Sequence, residues 1–194
     1  AAEYNLTNIL AATVAAQHLG VSPTTMAAVL ARFGADPADN AGRLGRFVLN
    51  GATILIDYAH NPTGLTGLLK VARSLRPTRL LLLLGQAGNR DDGALADLAA
   101  AAWSARPDRI VLKELDGYRR GRSTGEVPAL LGDALRQRGA PAERIVTVLD
   151  EVDAVEAAIR WSLPGDVLVL PVHSLDARAE VLTRLAALGA TATT

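Results

Sequence analysis

The chain has 194 residues, enough for one domain with a small attachment, and 49% of them are hydrophobic, which excludes the composition of a disordered chain. Its 20 basic and 20 acidic side chains cancel, so the total offers no basic field for nucleic acid or an anionic membrane. There is no cysteine, which excludes disulfides, thiolate metal sites and cysteine nucleophiles.

Apolar positions recur at helical spacing over 8–19, and Gly20 supplies a stop. Ser22-Pro23 opens a second helix reaching about residue 33, with Ser22 as N-cap and Pro23 at the first helical position. Residues 34–45 read as a polar loop. Segments 46–50 and 53–57 flank Asn50-Gly51, a strong short-range hairpin signal. A strand–helix rhythm follows: helix 65–75, strand 79–84, helix 92–105, strand 109–113, helix 127–138, strand 145–148, helix 152–162, strand 167–170 and helix 177–188. Such alternation predicts an α/β fold: a Rossmann-like, six-stranded, mostly parallel sheet with one antiparallel edge strand, helices on both faces and a helical hairpin in front. The Ala/Thr tail at 190–194 is expected to fray. The longest apolar run, Leu80 to Leu84, is far short of the ~20 residues that cross a bilayer. No signal peptide is visible, and the first residue is not methionine; the expectation is a cytoplasmic piece of a larger protein.

Polar clusters follow the strands. Asp57, His60 and Asn61 close the second strand, where a carboxylate can accept from ribose hydroxyls and an imidazole can contact a ligand; the bland alternative is a strand end and an Asn-Pro turn. Gly85 to Asp92 follows the Leu-rich strand. Its glycines permit close backbone approach, yet it is neither a GxxxxGK[ST] nor a GxGxxG loop, and helix capping is the competing reading. Lys113 to Glu126 carries Arg119, Arg120 and Arg122, which can hold a carboxylate or phosphate bidentately or form a solvated charged loop. His173 in Pro171-Val172-His173-Ser174 is a lone histidine and receives no role. By spacing alone Asn8 is a capping residue and Arg43 a loop residue. Trp103 and Trp161 are expected to pack within helices, and His18 to face a helix dipole.

The order of these pieces resembles the C-terminal domain of the Mur ligases, the ATP-dependent amide ligases that include folylpolyglutamate and cyanophycin synthetases. Asn5-Leu6-Thr7-Asn8 running into an Ala-rich helix, Gly42-Arg43, Asp57-Tyr58-Ala59-His60-Asn61-Pro62 and Gly85 to Asp91 carry the resemblance. Gln86 to Asp92 and Lys113 to Glu126 look most like cyanophycin synthetase and its relatives. The resemblance implies a substrate carboxylate phosphorylated by ATP to an acyl phosphate, which an amino-acid amine then displaces. It implies nucleotide contacts from Asn8, Arg43, Asp57 and His60. Asn61 would face the incoming amino acid, with His60 beside it as a further candidate for positioning the amine. Asn89, Arg90, Asp91, Arg119, Arg120 and Arg122 would lie toward substrate. The phosphate cradle and Mg²⁺ belong to the family's central domain, which residues 1–45 would join to the α/β domain of 46–194. No metal site is expected in this chain, which alone would be inactive. The partners implied are that central domain, a carboxylate substrate and an amino-acid acceptor, with neither nucleic acid nor membrane; a homo-oligomer stays open.

Departures are informative. The family's common GDRD reads Gly88-Asn89-Arg90-Asp91, which removes one carboxylate. The DNPR and GKGHE signatures of the diaminopimelate-adding branch are missing. A non-catalytic nucleotide-binding or regulatory module is the alternative, as is a folylpolyglutamate- or peptidoglycan-type ligase domain.

Overall fold

A computed structural model describes residues 3–33 and 44–193. The chain opens with a helical pair, α1 (Glu3–His18) and α2 (Pro23–Arg32). Ser22 caps α2, its hydroxyl accepting from the Thr25 N–H. Strands β1 (Gly45–Leu49) and β2 (Ala52–Asp57) form the expected hairpin. Asn50 and Gly51 both take positive φ, 49° and 78°, the pairing that matches strand twist in a two-residue turn.

The rest alternates as the pattern predicts: α3 (Pro62–Ser74), β3 (Leu80–Leu84), α4 (Asp92–Ser104), β4 (Arg109–Leu112), α5 (Glu126–Gln137), β5 (Ile145–Thr147), α6 (Glu151–Trp161), β6 (Val167–Pro171) and α7 (Leu175–Ala187). Helix α3 starts three residues before the expected 65. Asn61 caps it and Pro62 takes the first helical position, where its missing N–H costs nothing.

The described residues hold a seven-stranded sheet in the order β5-β4-β3-β6-β2-β1-β7. One strand exceeds the sequence expectation. Thr191–Ala192, in the tail expected to fray, forms β7 antiparallel to β1, and the Thr193 N–H donates to the Arg46 carbonyl. A two-residue strand is invisible to periodicity, and its pairing partner supplies the order. The neighbouring pairs from β5 through β2 are parallel.

Chain direction explains the two faces. From β2 to β5 the chain steps outward and then returns to insert β6 between β3 and β2; with crossovers of one hand, reversal moves the helices to the opposite face. Accordingly α3, α4 and α5 pack over one core and α6 and α7 over another. The five leucines of β3 split between them: Leu80, Leu82 and Leu84 face the first core, Leu81 and Leu83 the second. All five are buried, so truncating one to alanine would cost roughly 2–5 kcal/mol. Parallel pairing has one further consequence: the C-terminal ends of β2, β3, β4 and β6 share one edge, and the polar clusters follow them.

Candidate functional site

The turn after β2 is held at every carbonyl. The Asp57 carbonyl accepts from the Val172 N–H at 3.0 Å, and the Tyr58 carbonyl from His60 Nδ1 at 3.0 Å. The Ala59 carbonyl accepts from His173 Nε2 at 3.1 Å, and the His60 carbonyl from Gln86 Nε2 at 2.7 Å. Asn61 then caps α3, its Oδ1 accepting from the Gly64 N–H at 2.8 Å. These bonds leave the turn little freedom.

They also fix what each side chain can do. Asp57 is buried at 4% exposure, and its Oδ2 accepts from the Leu44 N–H at 2.7 Å. Among the described residues no group donates to its other oxygen, an acceptor of the kind a ribose hydroxyl needs. Because a carbonyl only accepts, His60 donates through Nδ1, which leaves Nε2 as the nitrogen that can meet a ligand. The amide NH₂ of Asn61 is its outward donor.

Two loops close over this edge. Gly88 lies so near Arg119 that a Cβ there would sit 1.9 Å from the Arg119 carbonyl oxygen, so no larger residue fits. The Gly88 N–H donates to the Tyr118 carbonyl at 2.9 Å. Arg122 latches the two loops together: Nε donates to the Gly88 carbonyl, Nη2 to the Arg90 carbonyl and Asp92, and Nη1 to Glu126. Those two carboxylates hold the guanidinium pKa above its ordinary value. Arg119 donates to Thr124 Oγ1 at 2.5 Å and pairs with Asp116 at 3.6 Å, while Arg120 lies 5.2 Å from the Tyr118 ring. Asn89, Arg90 and Asp91 are exposed, and Asp91 caps α4.

Beneath the turn lies a network that the sequence reading did not find. Lys113, wholly buried at the end of β4, pairs with Glu151 at the start of α6. Its ammonium also donates to His173 Nδ1 at 3.0 Å. Glu151 accepts from the backbone N–H groups of His173 and Ser174, at 2.8 and 3.0 Å. Burial lowers the Lys113 pKa from its usual value, with Glu151 opposing. Burial also lowers the His173 pKa from its usual value, helped by the Lys113 charge, which favours the neutral ring. For Glu151, desolvation pushes the carboxyl up, but His173 and the Lys113 ammonium outweigh it and hold it down at about 2. Tyr58 meets this network edge-on, its ring 5.4 Å from that of His173, with Arg178 5.3 Å away on the ring.

The family described as Mur ligase, glutamate ligase domain matches residues 42–171. The chain belongs to that family. A cyanophycin synthetase from Crocosphaera subtropica is 29% identical over 185 residues, covering 94% of this chain and 20% of that protein. A UDP-N-acetylmuramoyl-L-alanyl-D-glutamate–2,6-diaminopimelate ligase from a Nostoc species is 31% identical over 185 residues, covering 87% of this chain and 32% of that protein. The chain thus spans a fifth to a third of the length of these curated relatives. Among solved structures, a murein peptide ligase from Psychrobacter arcticus superposes with a TM-score of 0.62 at 21% identity, over 96% of this chain and 37% of that one. That likeness shows the fold.

Within this Mur ligase C-terminal domain, the structure gathers Asp57, His60 and Asn61 on one turn and ties that turn to the Gly85–Asp92 loop through Gln86. Asn8 stands exposed on α1, whereas Arg43 lies outside the described residues. Among the described residues no group of three or more His, Cys, Asp and Glu side chains is placed to hold a metal ion. No helix there is long and apolar enough to cross a membrane. A separate apolar groove of about 470 Å³ between α6 and α7, lined by Val155, Ile159 and Val181, holds none of the expected site residues. Lys113 was visible in the sequence only as part of a charged run. Glu151 stands one residue before the helix expected over 152–162 and was not singled out.

Proposed function

We propose that this chain is the C-terminal domain of an ATP-dependent amide ligase resembling cyanophycin synthetase, with the Asp57–Asn61 turn as its nucleotide-facing wall. In this reading the terminal phosphoryl group of ATP passes to a substrate carboxylate, leaving ADP and an acyl phosphate. The amine nitrogen of an amino acid then bonds to the acyl carbon, the C–O bond to phosphate breaks, and the amine proton is lost. The domain's part is to bind and orient. Asp57 accepts from the ribose hydroxyls, Asn8, Arg43 and His60 flank the nucleotide, and Asn61 with His60 faces the amine. Asn89, Arg90 and Asp91 lie toward substrate at the loop mouth. Arg119 and Arg120 are nearer to serving a substrate carboxylate than Arg122, which is engaged by protein groups at each nitrogen. The observation that carries the reading is Asp57: a buried carboxylate at a strand's C-terminal end, rigidly framed, with one oxygen committed and, among the described residues, one to offer.

Mg²⁺ supplies charge neutralisation at the phosphates. In this reading a central domain elsewhere on the parent chain holds it. That partner would also explain the helical pair in front, where α2 has no buried residue and Leu10, Val14, Leu30 and Phe33 are exposed. The missing DNPR and GKGHE signatures set the chain apart from the diaminopimelate-adding relatives, so the acceptor is open. The test is phosphate release by the full-length gene product with ATP, candidate carboxylate acceptors and a panel of amino acids. Release that requires one amino acid supports the ligase; ATP turnover indifferent to every amino acid would overturn it.

A further inference from the structure

Three ionisable side chains buried together call for a reason. Apolar residues of similar volume would serve stability as well as or better than a buried Lys–Glu pair. The Lys113–Glu151–His173 group joins three separate connections: the end of β4, the start of α6 and the loop after β6. Its link to the turn that bears Asp57 is His173, whose Nε2 reaches the Ala59 carbonyl.

The chemistry of the donors fixes the order. An ammonium only donates, so His173 Nδ1 must accept from Lys113. The ring proton therefore resides on Nε2, where the Ala59 carbonyl needs a donor. In the other tautomer Nε2 would face that carbonyl lone pair to lone pair. Glu151 neutralises Lys113 and also grips the backbone N–H groups of His173 and Ser174, which sets the loop that carries the ring. Of the carbonyls from Asp57 to His60, two are held by side chains from distant elements, Gln86 and His173.

We propose that Lys113, Glu151 and His173 are positioning residues: a buried polar relay that fixes the Ala59 carbonyl and so holds Asp57 and His60 in the geometry that receives the nucleotide. This rests on the reading of the Asp57 turn given above. None of the three touches the nucleotide, and the relay acts through the turn alone.

Two substitutions separate positioning from bulk stability. His173→Asn puts an amide oxygen near the Nδ1 position, keeping an acceptor for Lys113, but is too short to reach Ala59. His173→Gln extends an amide NH₂ to the Nε2 position and restores a donor to Ala59. ADP is the probe, titrated by calorimetry into the full-length gene product, with thermal unfolding followed in parallel. His173→Asn is expected to weaken ADP binding about tenfold, while His173→Gln stays within about threefold of the parent. Asp57→Ala is the control. Normal ADP affinity in that variant would overturn the reading of the turn itself. Weak binding in Asp57→Ala with equal affinities for the Asn and Gln variants would overturn the relay alone. Nitrogen-15 spectra of the unsubstituted protein give an independent answer. A neutral His173 protonated at Nε2 is expected, and a proton at Nδ1 would overturn the proposal even if neither variant folds.

Discussion

Two charged regions flank the same sheet edge and behave in opposite ways. The loop from Asp116 to Glu126 displays its charges together in sequence and largely in water, and Arg122 finds Asp92 and Glu126 across short distances there. The Lys113–Glu151–His173 group holds fewer charges, dispersed along the chain and shut inside. Here density of charge in the sequence marks where solvent is, whereas the isolated charge at the end of an apolar strand marks where a partner must be. Exposed pairs gain little because water and salt screen them. A buried pair gains little net stability from existing, yet much is lost when one member goes.

The largest effect is expected at Lys113. Lys113→Ala leaves the Glu151 carboxylate buried without its counter-charge, and the expected loss is roughly 3–5 kcal/mol in denaturant unfolding, nearly unchanged by added salt. A loss that salt relieves would place the pair in the same class as the surface loop.

Acid should sharpen the contrast next. Glu151 has a folded-state pKa of about 2 against an ordinary 4.5. Its contribution is therefore complete above pH 4.5 and is lost as the pH falls from there through about 2, on the order of 3 kcal/mol in all. Unfolding free energies measured across that range should fall with decreasing pH, and Glu151→Gln should flatten the slope. An unchanged slope in the Gln variant would remove Glu151 as its source.

The smallest effect is expected in the loop. Arg122→Ala should lower the Tm less than Lys113→Ala does, and the deficit should shrink in high salt as the exposed pairs to Asp92 and Glu126 are screened. Its larger mark should be local: faster amide exchange at Gly88 and Arg90, whose carbonyls it latches. A Tm loss matching that of Lys113→Ala would erase the distinction between the two regions.

Much of this was legible in the residues. The Leu80–Leu84 strand, the Asn50-Gly51 hairpin and the alternation after it follow from local patterns, and Asp57-Tyr58-Ala59-His60-Asn61-Pro62 singled out the turn. The beginning of α3 was placed late because Pro62 and Gly64 look like turn residues until Asn61 is recognised as their cap. β7 was missed because two residues carry no period. The buried relay was missed for a different reason. Lys113, Glu151 and His173 lie on three elements, and only the insertion of β6 between β3 and β2 brings the last of them under the turn. A lone histidine has no visible partner in a one-dimensional chain.

The short β7 has a consequence for handling the protein. Sheet margins are templates for unwanted pairing between molecules, and this sheet ends on one side in the three-residue β5 and on the other in β7. The two residues of β7 cover part of the five-residue β1, which would otherwise offer its N–H and C=O groups to a second molecule. Trimming the chain at Leu188 would remove almost nothing from the core while uncovering a ready seed for aggregation.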